Sequence, residues 1–428
     1  MLESRLILNE RDARQARVTL GRVHETLSAN SAIQSARAGL SSTLVERHRK
    51  AVAAIESDLT KALANYDQAK AGDFGPLVRD REHEPGMVLI VARIARGLSQ
   101  ADLADRLGLR EQQIQRYEAE RYRTISLSNY RRIATSLGVR LAATIIPDAK
   151  EWVGEAGAPL SKYADKDIRK VVTHARDNGW FDVPEAVTEH KNRLIDYLAT
   201  ATGQVADATF LRTGLVAQDL TSDLALLAWR ARVTILAEAK LPDVRTQFDP
   251  LDISWLGELV RLSALPDGPV RARDLLLERG IVVVTEPQLQ GLRLDGAAMV
   301  VGGTPVIALT LRHDRIDNFW FTLLHELAHI FLHHRSGLFV GFFDDFESAD
   351  VDEIEKEANA FAGSALIPSE KWRLSPARIS KDADPILDLA KTLGIHPAII
   401  FGRIRNERNN FSIFSSELGG GKIRSLFF

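Results

Sequence analysis

Apolar positions between residues 45 and 69 recur with a seven-residue repeat: Val45, Val52, Leu59 and Tyr66, with Ile55, Ala62 and Ala69 three places further on. Such a seam predicts a coiled-coil-like helix or a helical hairpin within 1–78, or else an amphipathic helix packed on its own domain. A second helical stretch follows, over 79–147. Ile90, Ile94 and Ala95 mark the inner face of a first helix, which Gly97-Leu98-Ser99 breaks. Ser99 suits the cap of the next helix, Gln100–Leu107, which turns Leu103, Ala104 and Leu107 inward and ends at Gly108. A third helix, about Glu111–Glu118, buries Ile114 and Tyr117. Val139–Ile146 reads as a short strand stopped by Pro147. Residues 148–165, with Gly154, Gly157 and Pro159, read as a linker, and 166–249 as a helical connecting region.

The pattern changes at Gly280. Gly280–Thr285, Ala298–Val301 and Pro305–Leu311 are strand-like runs, the last two joined by Gly302-Gly303 as a hairpin. Helices are expected from Asp317 to His334 and from Val351 to Leu366. The segment Ile386–Arg403 has a helix-turn-helix rhythm of its own. Its second helix is apolar apart from Arg403, which predicts a packing role. The expected fold class is mostly α and multidomain, with a small sheet in a C-terminal α+β domain over 250–428.

Composition narrows the chemistry. The 428-residue chain has no cysteine, which excludes disulfides, thiolate metal sites and cysteine nucleophiles. Its start lacks a basic segment followed by an apolar one, and no apolar run is long enough for a membrane span, so a cytoplasmic protein with no membrane partner is expected. The formal net charge is −2, yet Val91 to Arg140 holds ten arginines against five acidic residues. A basic patch confined to one module is the footprint of a phosphate-binding surface.

Within this module the third helix exposes Glu111, Gln112, Gln115 and Arg116. Glutamine can bond adenine, and arginine guanine, through two hydrogen bonds each. Candidate DNA contacts are therefore Arg110, Gln112, Gln113, Gln115 and Arg116, with Gln100 and Arg121 better suited to phosphate. The run RGLSQADLADRLGLREQQIQRYEAE resembles the XRE-type (Cro and phage-repressor-like) helix-turn-helix family. That resemblance implies a double-stranded operator as partner and a homodimer.

The sequence Leu324-His325-Glu326-Leu327-Ala328-His329 contains HExxH. On a helix, positions i and i+4 share a face, so both imidazoles can reach one metal ion, and the intervening carboxylate can take a proton from water there. Catalytic zinc usually has three protein ligands. Glu357, at the edge of the stripe formed by Ala358, Phe361, Ala362 and Ala365, is the expected third ligand, ahead of Glu353 and Glu355. Two histidines and a carboxylate also suit manganese or iron. The runs FTLLHELAHIFLHH and EKEANAFAGSALIP together resemble the ImmA/IrrE family of metallopeptidases. The resemblance implies a zincin-like fold over roughly 250–428, with Zn2+ on His325, His329 and Glu357, Glu326 as base, and cleavage of a repressor or similar regulator. Phe361 stands four residues after Glu357, so the group that orients the first histidine must come from elsewhere. Extended substrate is expected to pair with an exposed strand edge, for which Pro305–Leu311 is the candidate.

The combined reading is a DNA-binding regulator whose zinc endopeptidase cleaves a regulator protein, a partner or itself in response to a signal. A second reading is a DNA-binding antitoxin or repressor, as in toxin–antitoxin modules, whose zinc domain is a non-proteolytic sensor or scaffold. A third is a general protease with a helical protein-recognition bundle.

Overall fold

The computed structural model describes residues 6–29, 39–73, 75–78, 85–140, 163–182, 190–202, 220–333 and 348–428. They divide into two compact units, one within 1–29 and 52–152, the other within 30–51 and 153–428. The fold is mostly helical, with one small sheet. No helix among the described residues is long and apolar enough to cross a membrane.

In the first unit α1 (Glu10–Ser28) starts at Asn9, whose side chain accepts the backbone N–H of Asp12 at 2.8 Å. Its Ala13 and Ala16 share a core with Ala62, Leu63, Tyr66 and Ala69 of α2 (Ser42–Lys70). Ion pairs Arg17–Asp67 (3.0 Å) and Lys70–Glu10 (3.1 Å) flank the contact. The second half of the heptad seam is thus covered from within the chain, as a helical hairpin. The first half serves elsewhere: Val45, with Leu40 and Leu44, belongs to the core of the second unit. The boundary between the units falls inside α2, not near residue 78.

The first unit also contains, besides the single turn Gly75–Val78, the helices α3 (Pro85–Ala95), α4 (Gln100–Leu107), α5 (Glu111–Ala119) and α6 (Leu127–Ser136). Ser99 caps α4 as its sequence suggests. Its hydroxyl accepts from Asp102 N at 3.0 Å, and the Asp102 carboxylate accepts from Ser99 N at 2.8 Å. Gly108 ends α4 at φ +62°. The expected strand Val139–Ile146 is not formed at Val139 and Arg140, and its remainder lies outside the described residues, as does most of the 148–165 segment.

The second unit contains α7 (Asp165–Asp177), α8 (His190–Thr202), α9 (Leu220–Lys240), α10 (Leu256–Arg261) and α11 (Gly268–Glu278). Strands β1 (Val282–Thr285), β2 (Gly296–Val301) and β3 (Thr304–Leu309) follow. After them come α12 (Ile316–His333), α13 (Ser348–Leu366), α14 (Ser369–Leu374), α15 (Asp384–Leu393) and α16 (Pro397–Glu407). The strand order is β1-β3-β2, with β1 parallel and β2 antiparallel to β3. Gly302 and Gly303, at φ +56° and +81°, make the two-residue turn of the β2–β3 hairpin.

Pro305–Leu311 is therefore not the edge. β3 is the central strand, and β2 is the edge beside α12. A hairpin pattern does not say which of its strands meets a third. Here Pro305 pairs only with Val300 of β2, and the β1 ladder begins one residue later, at Val306, so the missing N–H spoils no bond to β1.

Alternation along the strands builds a layer on each face of the sheet. Val283, Ala298, Ile307 and Leu309 join the core formed with α12, α13 and α16, where Phe401 and Ile400 are buried. Val282, Val284, Met299, Val306 and Ala308 face Trp229, Leu224 and Val172 of α9 and α7. Helices α7, α8 and α9 of the 166–249 segment thus share a core with this face of the sheet. Buried Glu286 anchors that segment: its carboxylate accepts from Trp180 Nε1 at 2.8 Å and from Arg232 Nε at 3.1 Å.

Candidate metal centre and nucleic-acid interface

Helix α12 is apolar on most of its circumference and is clamped between sheet and helices, with Trp320, Leu324, Leu327 and Ile330 fully buried. The HExxH residues occupy its remaining face. His325 Nε2 and His329 Nε2 lie 3.0 Å apart. Glu355 of α13 closes the group, with carboxylate oxygens 3.2 Å from His325 Nε2 and 3.4 Å from His329 Nε2. Ligand atoms held tetrahedrally at zinc distances would be about 3.4 Å apart. Two imidazoles and a carboxylate in this arrangement fit a divalent transition metal in chemistry and in spacing.

The expected third member, Glu357, is not in the cluster. It lies on the exposed part of α13, as does Glu353. The reason is rotational. At 100° per residue Glu355 and Glu357 point to nearly opposite sides of the helix, and only Glu355 stands a turn before the buried Ala358 and two turns before Ala362. Counting from Glu355 also uncovers a partner that sequence reasoning missed. Asn359, four residues on, places Oδ1 3.1 Å from His325 Nδ1. Nδ1–H donating to that amide leaves Nε2 as the lone-pair nitrogen facing the cluster. The legible signal was the spacing Glu355–Asn359 on the face of the apolar stripe.

Glu326 is buried against the N-terminal end of β2. Burial pushes its carboxyl up to about 7, opposed by the His325 charge and by the Ala298 backbone N–H. A β-carbon on Gly296 would lie 2.9 Å from Glu326 Cγ, Glu326 Oε1 and Thr322 Cγ2, so only glycine lets the edge strand pass this close. Burial also acts to raise Glu355, but hydrogen bonds and charge from His325 and His329 outweigh it and hold that carboxylate well below its usual range. For His325 desolvation works downward, and the Glu355 bond with the Glu326 and Glu355 charges reverses it to a net rise. The group therefore favours two carboxylates of unlike basicity. Glu355 stays ionised against the imidazoles, while burial brings the Glu326 carboxyl close to neutrality.

In the first unit the recognition-type helix α5 is locked from beneath. Arg93 Nε and Nη2 donate to the two oxygens of Glu118 at 2.6 and 2.8 Å, and both residues are almost fully buried. Arg93 also reaches the Leu98 and Leu8 carbonyls, each at 2.8 Å. Gln100 donates from Nε2 to Glu118 Oε2 at 2.8 Å. One N–H of Gln100 is thereby committed to the ion pair, and a phosphate contact would use the other. Arg110, Gln112, Gln115 and Arg116 are exposed, and Arg110, Gln112, Gln113 and Arg116 line one surface concavity. Gln113 also braces the start of α5, where its Oε1 accepts from Arg110 N at 3.1 Å. Arg121 is half-buried at φ +50°, in a turn whose backbone packs against Gly86.

Two stretches of the chain match known family models. Residues 277–403 match the family model of the IrrE N-terminal-like domain, a peptidase family, and residues 89–143 match a helix-turn-helix family model. No curated protein and no solved structure matches the chain. The first match spans β1 to α16 and includes the His-His-Glu cluster; the second spans the basic module with its exposed glutamine and arginine face. One polypeptide thus carries a helix-turn-helix domain at 89–143 and an IrrE-like, peptidase-family domain at 277–403.

Proposed function

We propose that this protein is a DNA-binding regulator with a zinc-dependent endopeptidase that cleaves a regulatory protein (a repressor, a partner or a copy of itself) when a signal arrives. The convergence of His325, His329 and Glu355 beside buried Glu326 carries the reading. In it, the two histidines and Glu355 hold the metal, and Asn359 orients His325. When bound, the metal supplies Lewis acidity toward an amide carbonyl and the attacking water. Glu326 takes the proton from that water and delivers it to the leaving amine, a role that suits a carboxyl raised toward neutrality by burial. Substrate lies extended along β2, the edge strand among the described residues, whose start adjoins Glu326. On the other unit, Arg110, Gln112, Gln113, Gln115 and Arg116 read bases, and Gln100 and Arg121 hold phosphates, as a homodimer on a two-fold operator.

The test is metal content and cleavage measured together. About one zinc per chain is expected for the wild type and for Glu357→Ala, with loss in His325→Ala and in Glu355→Ala. Glu326→Gln should keep zinc and DNA binding but lose cleavage of every regulator the wild type cuts. Zinc bound without any cleavage by the wild type would instead favour the repressor or antitoxin reading, in which the metal domain is a scaffold.

A further inference from the structure

Among the large apolar side chains of α12, Phe319, Trp320, Leu323, Leu324, Leu327, Ile330 and Phe331 are all buried. Phe321 is the exposed exception, at 38%. A single exposed phenylalanine means little by itself; its position is what matters here. It stands one turn before His325, and its ring leans on that imidazole with centroids 6.2 Å apart and planes at 35°. The next residue, Thr322, lies against Gly296 at the start of the edge strand β2. Phe321 thus borders His325 at the metal cluster, while Thr322, next along the helix, meets the start of β2. A solvent-facing aromatic ring at that place offers apolar surface to whatever lies beside the reacting bond.

We propose that Phe321 determines specificity: it walls the subsite for a side chain flanking the scissile bond and selects a large apolar or aromatic residue there. The proposal rests on the peptidase reading above. Strand residues advance about 3.3 Å each. A peptide running along β2 with its carbonyl at the cluster thus brings a neighbouring side chain within reach of a ring 6.2 Å from His325. Burying an aromatic side chain on Phe321 removes water from both rings, whereas a carboxylate there would lose solvation with no cation supplied by Phe321.

The experiment uses the zinc-loaded full-length protein and three hydroxamates titrated by calorimetry: acetohydroxamate, which has no side chain, and two dipeptidyl hydroxamates bearing a benzyl or a carboxymethyl group next to the metal-binding end. The wild type should favour the benzyl compound by about tenfold or more. Phe321→Ala should lose most of that preference, and Phe321→Leu should keep part of it, both with unchanged zinc content and acetohydroxamate affinity. In a random peptide library, the wild type should show an apolar residue at one position flanking the cut, and Phe321→Ala should not. Equal affinity of the wild type for both dipeptidyl compounds, or a preference that survives Phe321→Ala, would overturn the assignment while leaving the metal site intact. Failure of acetohydroxamate to bind the zinc-loaded protein would overturn the peptidase reading, and this proposal with it.

Discussion

Replacing Gly296 with alanine adds one methyl group where no room exists. The new carbon would sit 2.9 Å from Glu326 Cγ, Glu326 Oε1 and Thr322 Cγ2, whereas ordinary contact begins at 3.4 Å. At least half an ångström must be found against two side chains at once. Thr322 is β-branched and on a helix, so its side chain is stiff. The backbone of β2 is tied to β3 across Gly296↔Leu309 and Ala297↔Ala308. Glu326 is the part that yields, and it does so by leaving the position in which burial and the Ala298 N–H hold it. Overpacking of this kind costs about 1–3 kcal/mol in stability. A catalytic carboxylate displaced by about 1 Å loses roughly a hundredfold in rate. The expected result for Gly296→Ala is a modest fall in melting temperature, one zinc still bound, and kcat/KM reduced by about 30- to 100-fold on peptides that the wild type cleaves. The metal ligands are not touched, which separates this variant from His325→Ala. Wild-type kcat/KM within twofold, with an unchanged melting temperature, would refute the claim that β2 presses on Glu326.

Three further outcomes follow from the geometry. Glu118→Ala leaves the buried Arg93 cation without its bidentate partner, so the helix-turn-helix should lose about 3–5 kcal/mol. Hydrogen exchange of α3 and α5 amides in the full chain reads this, and the double replacement Arg93→Met with Glu118→Leu should recover much of it. His48 is buried with Nε2 donating to the Pro250 carbonyl at 2.7 Å, and burial lowers its pKa. A folded-state value below the unfolded one gives stability that is complete above the unfolded pKa and drains away as pH falls through the folded one. The second unit should therefore melt earlier as pH drops from about 7.5 to about 5, and His48→Gln should flatten part of that slope. His174 and His396, lowered for the same reason, keep the remainder. Arg116→Ala should weaken operator binding by about 1–3 kcal/mol and relax specificity at one base position; equal weakening on all sequences would mean that Arg116 contacts phosphate only.

The sequence alone determined those features that depend on neighbours a few residues apart. Ser99 and Gly108 bound α4, Gly302-Gly303 turns the hairpin, and His325, Glu326 and His329 share a helix face, because caps, two-residue turns and i, i+4 pairs are set by local backbone geometry. Choices between equivalent local patterns needed the tertiary structure. Helical periodicity allowed several acidic residues of α13 near its apolar stripe, and the rotation at which α13 packs on α12 brings in Glu355 and Asn359 while turning Glu357 outward. The β-branched runs announced three strands but not their order, since the order depends on which strand of the hairpin pairs with β1. The heptad seam of α2 foretold burial without naming the surface that covers it. Its second half meets α1 and its first turns enter the core of the other unit, because a hydrophobic stripe specifies an apolar partner and carries no address for it.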